Sequence, residues 1–227
     1  MTKTHTNLIS LDVLRSGDVL LCYKAKWIDL FGNKIREVTQ SDYTHAAICI
    51  DSLNAVESVS SLTSYGVTKV TIAALVGRYD HVAVFRQPDA WPPSRADALR
   101  VFTERILTSG AKYNLSGVAS FRKRKNVHVM TVTEQLRAYF NDSVCPSPSL
   151  KEKYFCSELV ADCFVATGFI DPSAAIVYQS SVTSPGALGR DPTFGTFCGY
   201  ISTVPGYAVP PDDEFFNTTT FAEIFGP

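Results

Sequence analysis

The chain has 227 residues, enough to bury a substantial core, and its composition (45% hydrophobic, 19% charged, 11% aromatic) excludes a disordered or collagen-like polymer. A net charge of −1 with a pI near 6.4 excludes a global field drawing the protein to nucleic acid, so no nucleic-acid partner is expected. No window approaches the roughly 18 uninterrupted apolar residues of a membrane span, and no apolar stretch follows a basic start at the N-terminus. The expectation is a chain made in the cytoplasm without a signal peptide, with export by a signal-independent secretion system left open.

Along the chain, "SGDVLLCYK" (16–24) is a Gly-Asp turn leading into an apolar run, a strand signal. "THAAICID" (44–51) and "NAVESVSS" (54–61) are two β-prone runs separated by a tight polar turn. "GVTKVTI" (66–72) alternates, and "DHVAVFRQP" (80–88) is a further strand ended by Pro88. These segments predict a small antiparallel meander. "SRADALRVFTERILTSG" (94–110) predicts a helix with a Ser94 cap, apolar residues at helical spacing and a stop at Gly110. "FRKRKN" (121–126) carries four consecutive basic residues, Arg122, Lys123, Arg124 and Lys125. A run of this kind reads as a solvated loop, with contact to an anionic membrane surface as the functional alternative. "TVTEQLRAYFND" (131–142) predicts a second, shorter helix, and "CPSPS" (145–149) a loop. "CSELVADCFVATG" (156–168) predicts a third helix, with Leu159, Val160, Cys163, Phe164 and Val165 on its apolar face and Gly168 at its end. Beyond residue 170 the chain is rich in Pro, Gly, Ser and Thr and is expected to be irregular, with one or two strands. Neither an internal repeat nor a linker divides the sequence, so one α+β domain is expected over residues 1–227.

The six cysteines (22, 49, 145, 156, 163 and 198) form no C-x-x-C pair, and the four histidines (5, 45, 81 and 128) do not join them at ligand spacing. No metal or cofactor is therefore expected, and most of these thiols are expected to pack in the interior. Cys156 is different because it opens a helix. Unpaired amides and the helix dipole there favour a thiolate, and the same amides can hold an oxyanion. The competing reading makes Cys156 and Cys163, seven residues apart, two core thiols on one helix face.

A nucleophilic thiol needs a base. His45 is followed by the small residues Ala46 and Ala47, which let a helix approach its strand closely; His81, beside Asp80, is the second candidate. Glu57 is a carboxylate inside the apolar run "AVESV", costly if buried without a partner. A hairpin loop at residues 51–53 places it opposite Ala47 and diagonal to His45. A slip of one residue turns it to the other face and leaves Ser58 or Ser60 to orient the imidazole.

The order "SGDVL … THAAI … AVES … AKYNLSG … YFCSELV … VTSPGALGRDPTF" resembles the permuted papain-like amidases of the YiiX/YaeF type, within the NlpC-type cysteine peptidase superfamily that also holds lecithin:retinol acyltransferase-like enzymes. The resemblance spans about residues 14–195, leaving 196–227 as a C-terminal extension. It implies a small antiparallel sheet or barrel packed against a cysteine-bearing helix. It also implies a Cys–His–acid hydrolase running histidine, acid, then cysteine, with Cys156 as nucleophile, His45 as general base and Glu57 orienting the imidazole. Tyr43, and after it Tyr154, are the candidates for assisting substrate or oxyanion. The implied substrate is a peptide-like amide, such as a cell-wall peptide, with a lipid ester or acyl group as the alternative of the acyltransferase branch. The lack of a wall-binding repeat points to a cytosolic amidase or an exported antibacterial effector; a non-catalytic binding domain of the same fold is the competing class.

Overall fold

The β-branched and alternating runs fold as strands in the computed structural model, which describes residues 7–25, 30–39, 41–60, 65–88, 91–142, 150–171 and 174–226. His5 and the 145–149 loop lie outside the described residues. In chain order the elements begin with β1 (Val19–Tyr23), α1 (Leu30–Thr39), β2 (Tyr43–Cys49), β3 (Asn54–Ser60), β4 (Tyr65–Thr71), α2 (Ile72–Val76) and β5 (His81–Arg86). They continue with α3 (Pro93–Ser109), β6 (Lys112–Tyr113), α4 (Leu115–Ala119), α5 (Phe121–Asp142), β7 (Lys153–Tyr154), α6 (Cys156–Ala166), α7 (Pro185–Arg190), β8 (Thr196–Ile201) and α8 (Phe221–Phe225). The result is a mixed α+β protein whose main sheet has six antiparallel strands in the order β4-β3-β2-β1-β5-β8, as expected for a small papain-like fold.

Both faces of that sheet are covered, which is why β1, β2 and β5 are buried almost throughout rather than at alternate residues. One face packs against α6 and α3 through Val19, Leu21, Ala46, Ile48, Leu159, Val160 and Phe164. The other is closed by α2, whose Ile72, Leu75 and Val76 meet Leu20, Ala47, Cys49 and Val82. Every residue of α6 from Cys156 to Val165 is buried. Each large apolar side chain on it contributes about 1.5–3 kcal/mol by leaving water. Cys163 lies fully buried two turns into the helix, and its desolvation pushes the thiol well above its ordinary range.

Helix ends match the sequence in part. Gly110 ends α3 in the left-handed conformation (φ 67°), and Gly168 does the same just past Thr167, the final cap of α6. The start of α3 differs: Pro92 is the cap and Pro93 the first helical residue, so Ser94 lies inside the helix. The basic run is helical too, because lysine and arginine are good helix formers and neither Gly nor Pro interrupts residues 118–142. Two of its four basic residues hold the helix in place: Arg122 donates to the backbone carbonyls of Glu37 and Val38, and Arg124 to that of Gly117.

The Gly-Asp turn before β1 also has a physical basis. Gly17 adopts φ +89°, and a Cβ there would stand 2.0 Å from the Trp91 ring. Asp18, 1% exposed, accepts two hydrogen bonds from Arg86 (2.8 and 2.6 Å) and one from the Arg15 amide (2.8 Å), joining the turn to β5.

Candidate active site

The β2–β3 hairpin sets the position of the first two groups. Ala47 pairs with Glu57, Ile48 with Val56 and Cys49 with Ala55, the register that a loop at residues 51–53 predicts. Beyond Glu57 the two strands part. β3 continues to Ser60 paired only with β4, while β2 continues back to Tyr43 paired with β1. The segment 154–156, leading from β7 into α6, enters this gap. The Ser58 hydroxyl donates to the Tyr154 carbonyl at 2.7 Å, and the Cys156 thiol hydrogen-bonds the His45 ring. A cysteine borne by a helix on one face of the sheet thereby reaches a histidine whose side chain lies beside Cys22 and Ala47 on the other.

His45 Nε2 is 2.7 Å from Glu57 Oε2, which leaves Nδ1 as the ring nitrogen available to the thiol. Cys156, His45 and Glu57 are 4%, 7% and 2% exposed, so the chain of three groups is shielded from bulk water. Burial disfavours the charged imidazole, but the hydrogen bonds to Cys156 and then to Glu57 outweigh it and raise the His45 pKa from 6.5 to about 9. Burial likewise opposes ionisation of Glu57, yet the facing His45 and Arg78 hold its carboxyl below the ordinary range. The arrangement favours an imidazolium held against the Glu57 carboxylate.

Arg78 and Tyr79 complete the surroundings and carry no signal in the sequence. Both sit in the turn between α2 and β5. Arg78 Nη2 contacts Glu57 Oε1 at 2.6 Å and Oε2 at 2.7 Å, and the Tyr79 ring stacks on His45 at 5.8 Å with 9° between planes. The carboxylate is thus fixed by a cation on one side and the imidazole on the other.

The start of α6 is anchored separately. Glu158 accepts from the Phe155 amide at 3.3 Å, and Lys151 Nζ reaches Glu158 at 3.0 Å and Asp162 at 2.6 Å. Ser157 Oγ donates to the Thr183 carbonyl at 2.8 Å, tying the residue after Cys156 to the "SPGAL" segment, where Ser184 caps α7.

The other candidate side chains lie in different networks. The Tyr43 hydroxyl is 2.9 Å from Asp213 Oδ2 and 3.2 Å from His81 Nε2, and the Tyr154 hydroxyl accepts from the Lys151 amide at 3.0 Å. His81 has Asp213 at 3.2 Å and the Tyr207 hydroxyl at 2.9 Å as partners; Asp80 instead accepts from the Ala25 amide. The structure therefore brings Cys156, His45 and Glu57 together and gathers Tyr43, His81 and Asp213 in a second buried cluster. Tyr113, inside the "AKYN" segment, is a wall residue beside Cys156. Burial, and next the proximity of the thiol's charge, push its phenol well above the ordinary range.

Among the described residues, no helix is long and apolar enough to cross a membrane. No family model matches the chain. Over 177 residues the chain is 27% identical to the probable lipoprotein peptidase YaeF of Escherichia coli (strain K12), an alignment covering 74% of this chain and 61% of that protein. The chain thus spans about three fifths of the length of the curated relative it matches.

Proposed function

We propose that the protein is a cysteine hydrolase of the permuted papain-like type that cleaves an amide bond in a peptide-like substrate. The observation that carries this reading is the buried, hydrogen-bonded series Cys156–His45–Glu57, with a cysteine at the first turn of a helix and a carboxylate 2.7 Å from the imidazole. The similarity to a protein named a probable lipoprotein peptidase supports the same reaction class.

The chemistry follows from these positions. The proton shared between Cys156 and His45 stays on the imidazole, whose pKa is raised, as the sulfur attacks the scissile carbonyl carbon to form a tetrahedral adduct. The Cys156 backbone N–H stabilises the oxyanion, and the Tyr113 phenol beside it serves as the second donor. The C–N bond breaks, His45 delivers its proton to the leaving amine, and a thioester remains. Water, deprotonated by His45, then displaces the thiol and releases the acid. Glu57 keeps the imidazole in the orientation and tautomer that these transfers need, and Arg78 keeps Glu57 in place.

The test is to incubate purified protein and its Cys156→Ala variant with peptidoglycan fragments, peptides and phospholipids, following products by mass spectrometry. The expected result is amide cleavage by the parent chain and none by the variant. The reading fails if neither forms product and Cys156 reacts with iodoacetamide near neutral pH no faster than free cysteine does. That pattern belongs to a binding domain that keeps the fold without the reaction.

A further inference from the structure

Beside Cys156 lies a recess whose walls come from separate parts of the chain. Val38 of α1, Val118 of α4, Phe121 of α5 and Phe155 before α6 form its sides, with Tyr113 closing one end. Among the described residues, no charged side chain lines it. Apart from the Tyr113 phenol, proposed above as an oxyanion donor, its hydroxyls already have backbone partners: Thr39 donates to the Ile35 carbonyl at 2.8 Å, Ser157 donates to the Thr183 carbonyl, and Ser184 accepts from the Ala187 amide. What these groups leave for a ligand is apolar surface. The recess contains about 310 Å³ of atom-free space including its mouth, but the centre of a water-sized sphere has only about 20 Å³ in which to move. Allowing for the sphere's own radius of about 1.4 Å, a compact region of that size corresponds to a space of roughly 120 Å³, which suits a few methyl-sized groups rather than a long chain.

We infer that this recess is the specificity subsite for a small, uncharged aliphatic group on the acyl side of the scissile bond. The inference rests on the hydrolase reading and sharpens it. The substrates favoured are amides whose acyl portion carries a short or branched alkyl substituent, such as the side chain of a small apolar amino acid. Long-chain acyl groups exceed the space, and a carboxylate or ammonium would lose its hydration there without gaining a partner.

Four N-substituted 2-chloroacetamides, with methyl, isobutyl, octyl or carboxymethyl tails, test this without requiring the natural substrate. The Cys156 sulfur displaces chloride from the CH2 group, forming a thioether as the C–Cl bond breaks, and intact-mass spectrometry reads the second-order labelling rate. Because burial of one methylene is worth roughly a fourfold gain, the isobutyl probe is expected to label Cys156 at least about tenfold faster than the methyl probe. The octyl and carboxymethyl probes are expected to gain nothing over methyl. Val118→Trp and Val38→Phe, which fill the recess from different helices and are each checked for cooperative unfolding, should both bring the isobutyl-to-methyl ratio close to one. Accelerated labelling that ignores the tail, or that favours octyl, overturns the subsite alone. Labelling of all four at the rate of glutathione overturns the hydrolase reading and the subsite with it.

Discussion

Replacing Glu57 with glutamine keeps the side chain's shape and removes the charge that faces His45. The lift of the imidazole from 6.5 to about 9 is worth about 3 kcal/mol at 1.36 kcal/mol per pH unit, and it is achieved against the cost of burial. Two neighbours produce it, Cys156 first and Glu57 second. An opposite charge at hydrogen-bonding distance shifts a pKa by about 1–3 units, so Glu57→Gln should lower the His45 value by at least about one unit. Cys156→Ala should lower it as well, and the double variant should titrate near or below 6.5, because only desolvation then remains. With four histidines in the chain, ring-proton NMR resolves this directly, and a His45→Gln spectrum assigns the resonance. The sign for stability follows from the same shift. The charged ring stabilises the fold fully below pH 6.5, and its contribution disappears as pH rises through about 9. The urea midpoint of the parent chain should therefore fall across that window, and Glu57→Gln should flatten the fall. Titration of His45 at one and the same pH in all variants would refute the coupling and the triad built on it.

Other substitutions probe the supports of the site. Arg78→Ala leaves a 2% exposed carboxylate with one partner fewer; because the Arg78 side chain is 42% exposed, the loss should be about 1–2 kcal/mol rather than that of a fully buried pair, read as a urea midpoint shift. The same variant should slow alkylation of Cys156, since Glu57 is no longer held against His45. Asp213→Asn removes the charge and one of the two acceptor oxygens shared by Tyr43, Tyr200, His81 and the Phe215 amide and should cost about 2–4 kcal/mol, measured by denaturant unfolding. Hydrogen bonds from His81 and Tyr200 outweigh burial and hold Asp213 below its ordinary value, so its contribution exists above that range and is lost as pH falls through the lowered one. Acid unfolding should therefore be less steep in the variant. Gly17→Ala combines a positive φ with a collision against Trp91 and should destabilise by more than about 1 kcal/mol, visible as a lower Tm.

The strands were legible because their β-branched runs are bounded by Gly, Pro and Asp, and the turn at 51–53 fixed the pairing of Ala47 with Glu57. Cys156 was legible because it stands at the junction of a loop and an apolar helix. The helix α1 was not: "LFGNKIREVT" contains a glycine and β-branched residues. It is fixed instead by tertiary contacts, with Ile35 buried and Arg36 donating to the carbonyls of Lys24 and Asp42. Nor did the sequence link His81 to Asp213, 132 residues away, since nothing local marks a carboxylate that is matched only after β8 has joined the sheet. Arg78 and Tyr79 escaped notice for a similar reason. A turn brings them to Glu57 and His45, and turn residues are polar whether or not they serve a site.

The parting of β2 and β3 has a mechanical consequence. Past Ala47 and Glu57 no backbone rung connects the two strands, so the sheet has a seam there, with β1 and β2 on one side and β3 and β4 on the other. The 2.7 Å contact between His45 and Glu57 bridges this seam by side chains alone, and residues 154–156 act as a wedge within it. Anything that widens the seam stretches the imidazole–carboxylate contact before it breaks any strand pairing. The His45–Glu57 hydrogen bond is thus also the clasp across the weakest line of the sheet, and its length reports how tightly the two halves are closed.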